Sequence, residues 1–178
     1  LFLHGVGGNA KNWEPQLAAL SDSFRVVAWN ARGYGQSDDP PTPIAQRDFA
    51  TDARDLLDHL GVQQAHILGL SMGGMIAQEF YRHFPERARS LILADTVPGF
   101  GSIPNKDEVL AERLKDIDNL SIEEAARRRA PKLLAENPDP NVLALMEQSM
   151  SDVRREPYRQ AWVSMFEVNF LDLLPNVG

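Results

Sequence analysis

Gly69-Leu70-Ser71-Met72-Gly73 lies between a short apolar run, Ala65-His66-Ile67-Leu68, and an amphipathic run that begins at Met72. The order reads as a strand, a serine at a sharp turn, and a helix. A strand that turns into a helix at one residue pushes that side chain out at the strand's C-terminal end, on a strained backbone. The residues two before and two after must then be tiny, and Gly69 and Gly73 meet that demand. This is the geometry of an elbow that presents a nucleophile. Glycine and serine are common enough that the bare pattern also arises by chance in loops, so its surroundings decide the reading.

Downstream, Met72, Met75, Ile76, Phe80 and Phe84 form an apolar stripe at helical spacing, stopped by Pro85, with Gly74 allowing close packing. Ser90-Leu91-Ile92-Leu93-Ala94 is a continuous apolar run, as expected of a strand covered on both faces. Upstream, Phe49, Ala53, Leu56, Leu57 and Leu60 share one helical face, and Gly61 is placed to end that helix in the left-handed conformation. Asp38-Asp39-Pro40-Pro41-Thr42-Pro43 cannot be helical and reads as an exposed connector. Phe24 to Trp29 predicts a further strand, with Asn30 to Ser37 as its exit loop. Trp13, Leu17 and Leu20 predict a helix, with Asn9 or Asn12 as caps and Pro15 in its first turn.

Leu1-Phe2-Leu3 predicts the first strand, ending at the glycine-rich turn His4-Gly5-Val6-Gly7-Gly8. That turn lacks the Lys-Ser/Thr of a phosphate-binding loop and the spacing of a dinucleotide fingerprint, so it reads as a loop presenting backbone N–H groups. From residue 1 to 96 the order is thus βαβαβαβ, which implies a mostly parallel sheet with flanking helices and a site at the C-terminal ends of the strands. His4, Asn30, Ser71 and Asp95 all fall at those ends.

After Asp95 the texture changes. Val97 to Pro104 reads as a linker, and Asp107 to Phe170 favours helix throughout. Ser121 with Glu124 forms a capping box, Asn141 is the expected cap of the run through Met150, Pro157 suits the first turn of the last helix, and Pro131 should break the helix that begins near Ile122. We read a core over 1–100, a helical cap over 101–170 laid on the catalytic edge of the sheet, and a return to the core at 171–178. Met146, Met150, Trp162, Met165, Phe166 and Phe170 are candidates to roof an apolar pocket, the larger share of them serving as the cap's own core.

With 178 residues, 43% of them hydrophobic, the chain is the size of one domain. A net charge of -7 disfavours nucleic acid and anionic membranes as partners and leaves small molecules. The absence of cysteine excludes disulfides and thiolate chemistry, and no apolar run approaches the ~18 residues of a membrane span. No signal-peptide pattern is present, and the expected location is cytoplasmic. Both ends read as truncations, the first because Leu1 opens inside a strand and the second because a further strand is expected after Leu174-Pro175-Asn176-Val177-Gly178.

A serine hydroxyl needs a base, a group to orient that base, and donors for the oxyanion formed on attack. The backbone N–H groups of Met72, at the positive end of its helix, and of Val6 are the available donors. Taken together, His4-Gly5-Val6-Gly7 with Trp13, Arg32-Gly33-Tyr34-Gly35-Gln36-Ser37, Gly69-Leu70-Ser71-Met72-Gly73-Gly74 and the strand before Asp95 resemble the α/β-hydrolases over residues 1 to about 100. Within that family the elbow looks most like the 3-oxoadipate enol-lactonase branch and its esterase neighbours. The resemblance implies that Ser71 is the nucleophile and that Val6 and Met72 supply the oxyanion hole, with no cofactor and no metal. Asn30 departs from the aspartate of many members, with little expected effect.

The family's base is a histidine late in the chain, and no histidine follows His83 here. His4 belongs to the oxyanion loop, and His59, His66 and His83 read as structural or solvated, so none is promoted to base. The acid is expected beyond Gly178 or, as in some members, at Asp95. Asp38 and Asp39 form a solvated turn, and nothing has metal-ligand spacing. The expectation is a serine hydrolase that cleaves a small or medium carboxylic ester or enol-lactone through an acyl-enzyme, inactive as these 178 residues alone because the base is absent. A carbon–carbon bond hydrolase on the same scaffold and a non-catalytic ligand receptor are the alternatives, while Ser71 itself excludes an aspartate nucleophile.

Overall fold

The computed structural model describes residues 1–41 and 43–176. Thr42 of the proline-rich connector and Val177-Gly178 of the expected return to the core lie outside the described residues. The chain is α/β. Three parallel strands, β1 (Phe2–Leu3), β2 (Ala65–Leu70) and β3 (Ala88–Ala94), lie in the order β1-β2-β3. Leu3 pairs with Gly69 and Gly69 with Leu93, so the three strands end level with one another beside Ser71.

The second expected strand does not form a ladder. Ala28 makes a single parallel bridge to Phe2, through Phe2 N–H to Val27 O at 2.8 Å and Trp29 N–H to Phe2 O at 3.4 Å. Its partner β1 has only two residues before the turn at His4, so one bridge is all the pairing the geometry allows. The segment still occupies the free side of β1 and delivers Asn30 to the sheet's C-terminal edge.

β3 also departs from expectation. Its apolar run is not covered on both faces, because Ile92 is 48% and Leu93 39% exposed. Among the described residues no strand lies beyond β3, and α3 (Met72–His83) packs on one face of the sheet.

The helices follow their sequence signals closely. A 3-10 turn, Ala10–Trp13, is capped by Asn9, whose Oδ1 accepts from Lys11 N–H at 2.9 Å, and leads into α1 (Glu14–Leu20). In α2 (Gln46–His59) the residues Phe49, Ala53 and Leu57 are buried, and Gly61 follows at φ 67° as the left-handed stop. Met75, Ile76 and Phe80 of α3 are buried against α2 and the sheet, and Pro85 opens a 3-10 turn that ends α3.

Four helices follow: α4 (Lys106–Asn119), α5 (Ile122–Arg129), α6 (Pro140–Ser151) and α7 (Arg155–Phe166). The Ser121/Glu124 capping box forms with both bonds at 3.1 Å, and α5 ends one residue before Ala130-Pro131. The cap of α6 is Asp139, not Asn141. Pro140 occupies the first turn, where its missing N–H is no loss, so the acceptor must stand before it, and Asp139 Oδ1 takes the Asn141 N–H at 2.8 Å. The four-helix segment seats on the rest through α7. Gln46 Nε2 donates to Ser164 Oγ at 2.8 Å, Arg154 pairs with Asp39, and Ala161, Phe166 and Phe170 join the core formed by α2 and α3.

Candidate active site

Ser71 stands between β2 and α3 with φ 52° and ψ -114°, a conformation an L-residue holds only when its surroundings enforce it. Four bonds do so. Its N–H donates to Ala94 O at 2.9 Å, and its carbonyl accepts from Gly74 N–H at 2.9 Å, Met75 N–H at 3.2 Å and Thr96 Oγ1 at 2.7 Å. The flanking glycines are sterically required. A Cβ on Gly69 would lie 2.1 Å from Gly73 O, and one on Gly73 would lie 2.1 Å from Leu3 O. The close approach expected at Gly74 is made to Thr96.

The glycine-rich turn lies directly against this elbow, since a Cβ on Gly5 would sit 3.4 Å from both Leu70 O and Ser71 Cβ. His4 fixes the turn from beneath. Its Nε2 accepts the Ala31 N–H at 3.1 Å, so Nδ1 carries the proton and donates to Gly5 O at 2.9 Å, with the Tyr34 ring edge-on at 4.9 Å. Gly8 N–H donates to the same Gly5 carbonyl at 2.9 Å. From above, Ser149 Oγ of α6 donates to Gly7 O at 3.2 Å. Both ring nitrogens of His4 are therefore engaged in the backbone, which makes it a structural residue and not a base.

Burial, opposed by the Gly5 hydrogen bond, lowers the His4 pKa to about 4. The unfolded chain thus binds a proton that the folded chain refuses between about pH 6.5 and 4. This contribution to stability is complete above pH 6.5 and is lost as pH falls through that window, by of order 3 kcal/mol in all. Urea unfolding at pH 7 and pH 4.5 should show the loss, and His4→Gln should flatten that part of the profile. An equally steep profile in the variant would assign the acid sensitivity to other groups.

Ser71 opens into a cavity of about 470 Å³. The structure brings Ser71, Val6 and Asp95 to its wall, while Met72 lies fully buried beneath, its backbone N–H at the first position of α3. Asp95 is exposed at the end of β3 with φ 44°, and among the described residues it is the one carboxylate on this wall. Of the aromatic and methionine set, Met146, Trp162 and Met165 line the cavity, whereas Met150, Phe166 and Phe170 are buried within the core. Asn30 lies outside the wall and braces it, its Oδ1 accepting from Ala10 N–H at 2.9 Å.

The other histidines lie elsewhere: His66 contacts Ser90 Oγ at 2.7 Å, His83 contacts Glu79 Oε1 at 3.0 Å, and His59 is the last residue of α2. Among the described residues no group of three or more histidine, aspartate or glutamate side chains converges as a metal set. No helix among them is long and apolar enough to cross a membrane.

Thr96, Arg113 and Arg129 are among the wall residues that the sequence did not single out. Thr96 follows the strand-end position Asp95 and could have been found by extending that rule one residue. Arg113 and Arg129 come from different helices, α4 and α5, and meet only in the folded chain.

Comparison with known proteins gives the same architecture. The family described as alpha/beta hydrolase fold matches residues 1–135. A 3-oxoadipate enol-lactonase of Acinetobacter baylyi is 38% identical over 101 residues, which are 57% of this chain and 38% of that protein. The chain therefore spans about two-fifths of that relative's length. Among solved structures, a thermophilic esterase from Thermogutta terrifontis superposes with a TM-score of 0.91 at 28% identity, covering 99% of this chain and 66% of the other. The enol-lactonase from Burkholderia xenovorans LB400 gives 0.90 at 25% identity, covering 99% and 68%.

Proposed function

Because the chain belongs to the alpha/beta hydrolase fold family, we propose that it carries the nucleophile of a serine hydrolase acting on a small or medium carboxylic ester or enol-lactone. The observation that carries this reading is the Ser71 backbone at φ 52°, held by four hydrogen bonds at the wall of a cavity that the glycine-rich turn shares.

In this reading Ser71 Oγ attacks the carbonyl carbon and gives its proton to a base. The Val6 and Met72 amides receive the negative charge on the carbonyl oxygen, and the positive end of α3 adds to the field there. Collapse expels the alcohol or enol, which takes the proton back from the base. Water, deprotonated by the same base, then attacks the acyl-enzyme and releases the acid. Helices α4 to α7, within 101–170, act as the cap that limits water at the site.

None of the four histidines is placed to be that base, so it comes from polypeptide outside these 178 residues. The orienting acid is supplied with it or, in the alternative arrangement, by Asp95. The isolated 178 residues accordingly give no Ser71-dependent turnover.

The test is turnover by the full-length protein of 4-nitrophenyl acetate and of an enol-lactone. The expected result is a rapid release of nitrophenolate close to one equivalent per site, followed by steady hydrolysis to acid and alcohol. Cleavage restricted to a carbon–carbon bond would move the reaction class, and tight ligand binding without any product would make the protein a receptor.

A further inference from the structure

We propose that Arg113 and Arg129 form a carboxylate-binding subsite in the roof of the Ser71 cavity, so that the ester or lactone taken there carries a free carboxylate remote from the scissile carbonyl. The proposal deepens the reading of Ser71 as nucleophile and rests on it.

Arg113 projects from α4, and Arg129 is the last residue of α5. Each guanidinium carbon lies 5.8 Å from the centroid of the same ring, Trp162 of α7. All three residues line the Ser71 cavity and also an adjoining cleft of about 530 Å³ between α4, α5 and α7, so together they form the partition between the two spaces. Arg129 is half-buried there, and Arg113 is more exposed.

Two like charges thus converge on one indole, and among the described residues no carboxylate lies within 4.0 Å of either. Acidic side chains do stand nearby. Glu112 and Asp116 line the outer cleft but face other cations, Lys115 at 3.7 Å and Arg128 at 2.6 Å. Glu108 lines the outer cleft as well, and Asp95 lies on the cavity wall next to Thr96, which is bonded to Ser71. Burial first, and the Arg113 charge second, push the Arg129 guanidinium below its usual range, with Tyr158 opposing.

A cation drawn partly out of water without a counter-charge is costly unless something pairs with it. The planar guanidinium fork matches a carboxylate through two parallel hydrogen bonds, so an anion held between the two arginines answers both the desolvation and the mutual repulsion. The remaining roof is apolar, with Leu133, Met146 and Met165, which leaves the pair as the cationic part of that roof. The competing role is purely structural, in which both arginines merely brace Trp162 by cation–π contact. That role predicts no discrimination by substrate charge.

The test uses full-length protein and the monomethyl esters of succinate, glutarate and adipate. Each is paired with the methyl ester of the monocarboxylic acid of the same chain length. For at least one pair kcat/KM should favour the anionic member by about tenfold or more, as expected of a charge-assisted hydrogen bond. Arg129→Met should cost the anionic ester about tenfold more than its neutral partner, with Arg129→Lys recovering part of the difference. Equal losses on both members, or no preference in the unmodified protein, would overturn the subsite.

Calorimetric titration of Ser71→Ala protein with the same monoanions reads binding without turnover. Binding that is lost on adding Arg129→Met supports the subsite, and binding that is unchanged overturns it. Turnover that survives Ser71→Ala would sink the nucleophile reading alone, because the calorimetric result still decides the subsite.

Discussion

Replacing Ser71 with alanine in the full-length protein is expected to lower kcat for ester hydrolysis by about 10⁴-fold or more, with KM changed little. The split follows from what the substitution removes. The cavity wall, the turn at Gly5 to Gly8 and helices α4 to α7 keep their places, so the substrate still binds in the ground state. What disappears is the oxygen that forms the new bond in the transition state, and the base then has no nucleophile to activate. The fold should survive, because the bonds that hold the elbow run to the Ser71 backbone: its N–H to Ala94, and its carbonyl from Gly74, Met75 and Thr96. Alanine keeps all four and meets the same positive φ at a similar cost. Steady-state rates and thermal unfolding of the variant check both halves. A rate within tenfold of the unmodified protein would remove Ser71 from the chemistry, since water activated without the serine does not rival an acyl-enzyme route.

The elbow was legible in the sequence because its constraints are local. A short apolar run, two glycines at fixed offsets and a helical stripe are all contained in residues 65–84, and each follows from the steric demands of one turn. The capping box at Ser121 and Glu124 and the stop at Gly61 are local in the same sense, and both formed as expected. The cap of α6 failed by one step of local reasoning. A proline at the first helical position shifts the acceptor to the residue before it, which makes Asp139 the cap in place of Asn141.

Where a residue's state depends on a neighbour distant in sequence, the sequence was a weaker guide. The segment from Phe24 to Trp29 has strand-forming residues, yet the length of its ladder is set by β1, which offers only two. The apolar run in β3 looked buried on both faces, but burial belongs to the sheet and not to the strand, and Ile92 and Leu93 remain exposed. The six methionine and aromatic candidates divide equally between cavity and core for the same reason. Helical periodicity gives the apolar face of α6 or α7 without saying whether that face meets α2 or a void. The two arginines on Trp162 had no signal at all, since α4, α5 and α7 are brought together only by their packing.

Gly73→Ala should destabilise the full-length protein by about 3 to 5 kcal/mol, a loss large enough to consume much of a typical domain's stability. The added Cβ would meet backbone and not a movable side chain: Leu3 O at 2.1 Å, Leu3 C at 2.6 Å and His4 O at 2.9 Å. Overpacking against a flexible core usually costs about 1 to 3 kcal/mol because side chains turn aside. Here the obstacle is β1, paired to β2 through Phe2 and Leu3 and continued by His4, whose ring nitrogens are bonded to Ala31 and Gly5. Gly61→Ala is the matched control. Its φ of 67° is left-handed, yet a Cβ there would meet nothing within 4 Å, so only the conformational cost of about 1 to 2 kcal/mol remains. Urea unfolding of the two variants therefore separates collision from backbone preference, and a Gly73 variant no less stable than the Gly61 variant would show that β1 yields freely. Because β1 leads straight into His4-Gly5-Val6, any shift that relieves the collision also moves the Val6 N–H relative to Ser71. The Gly73 variant should for that reason lose more activity than its unfolded fraction accounts for, whereas Gly61→Ala, far from the cavity, should lose none beyond it.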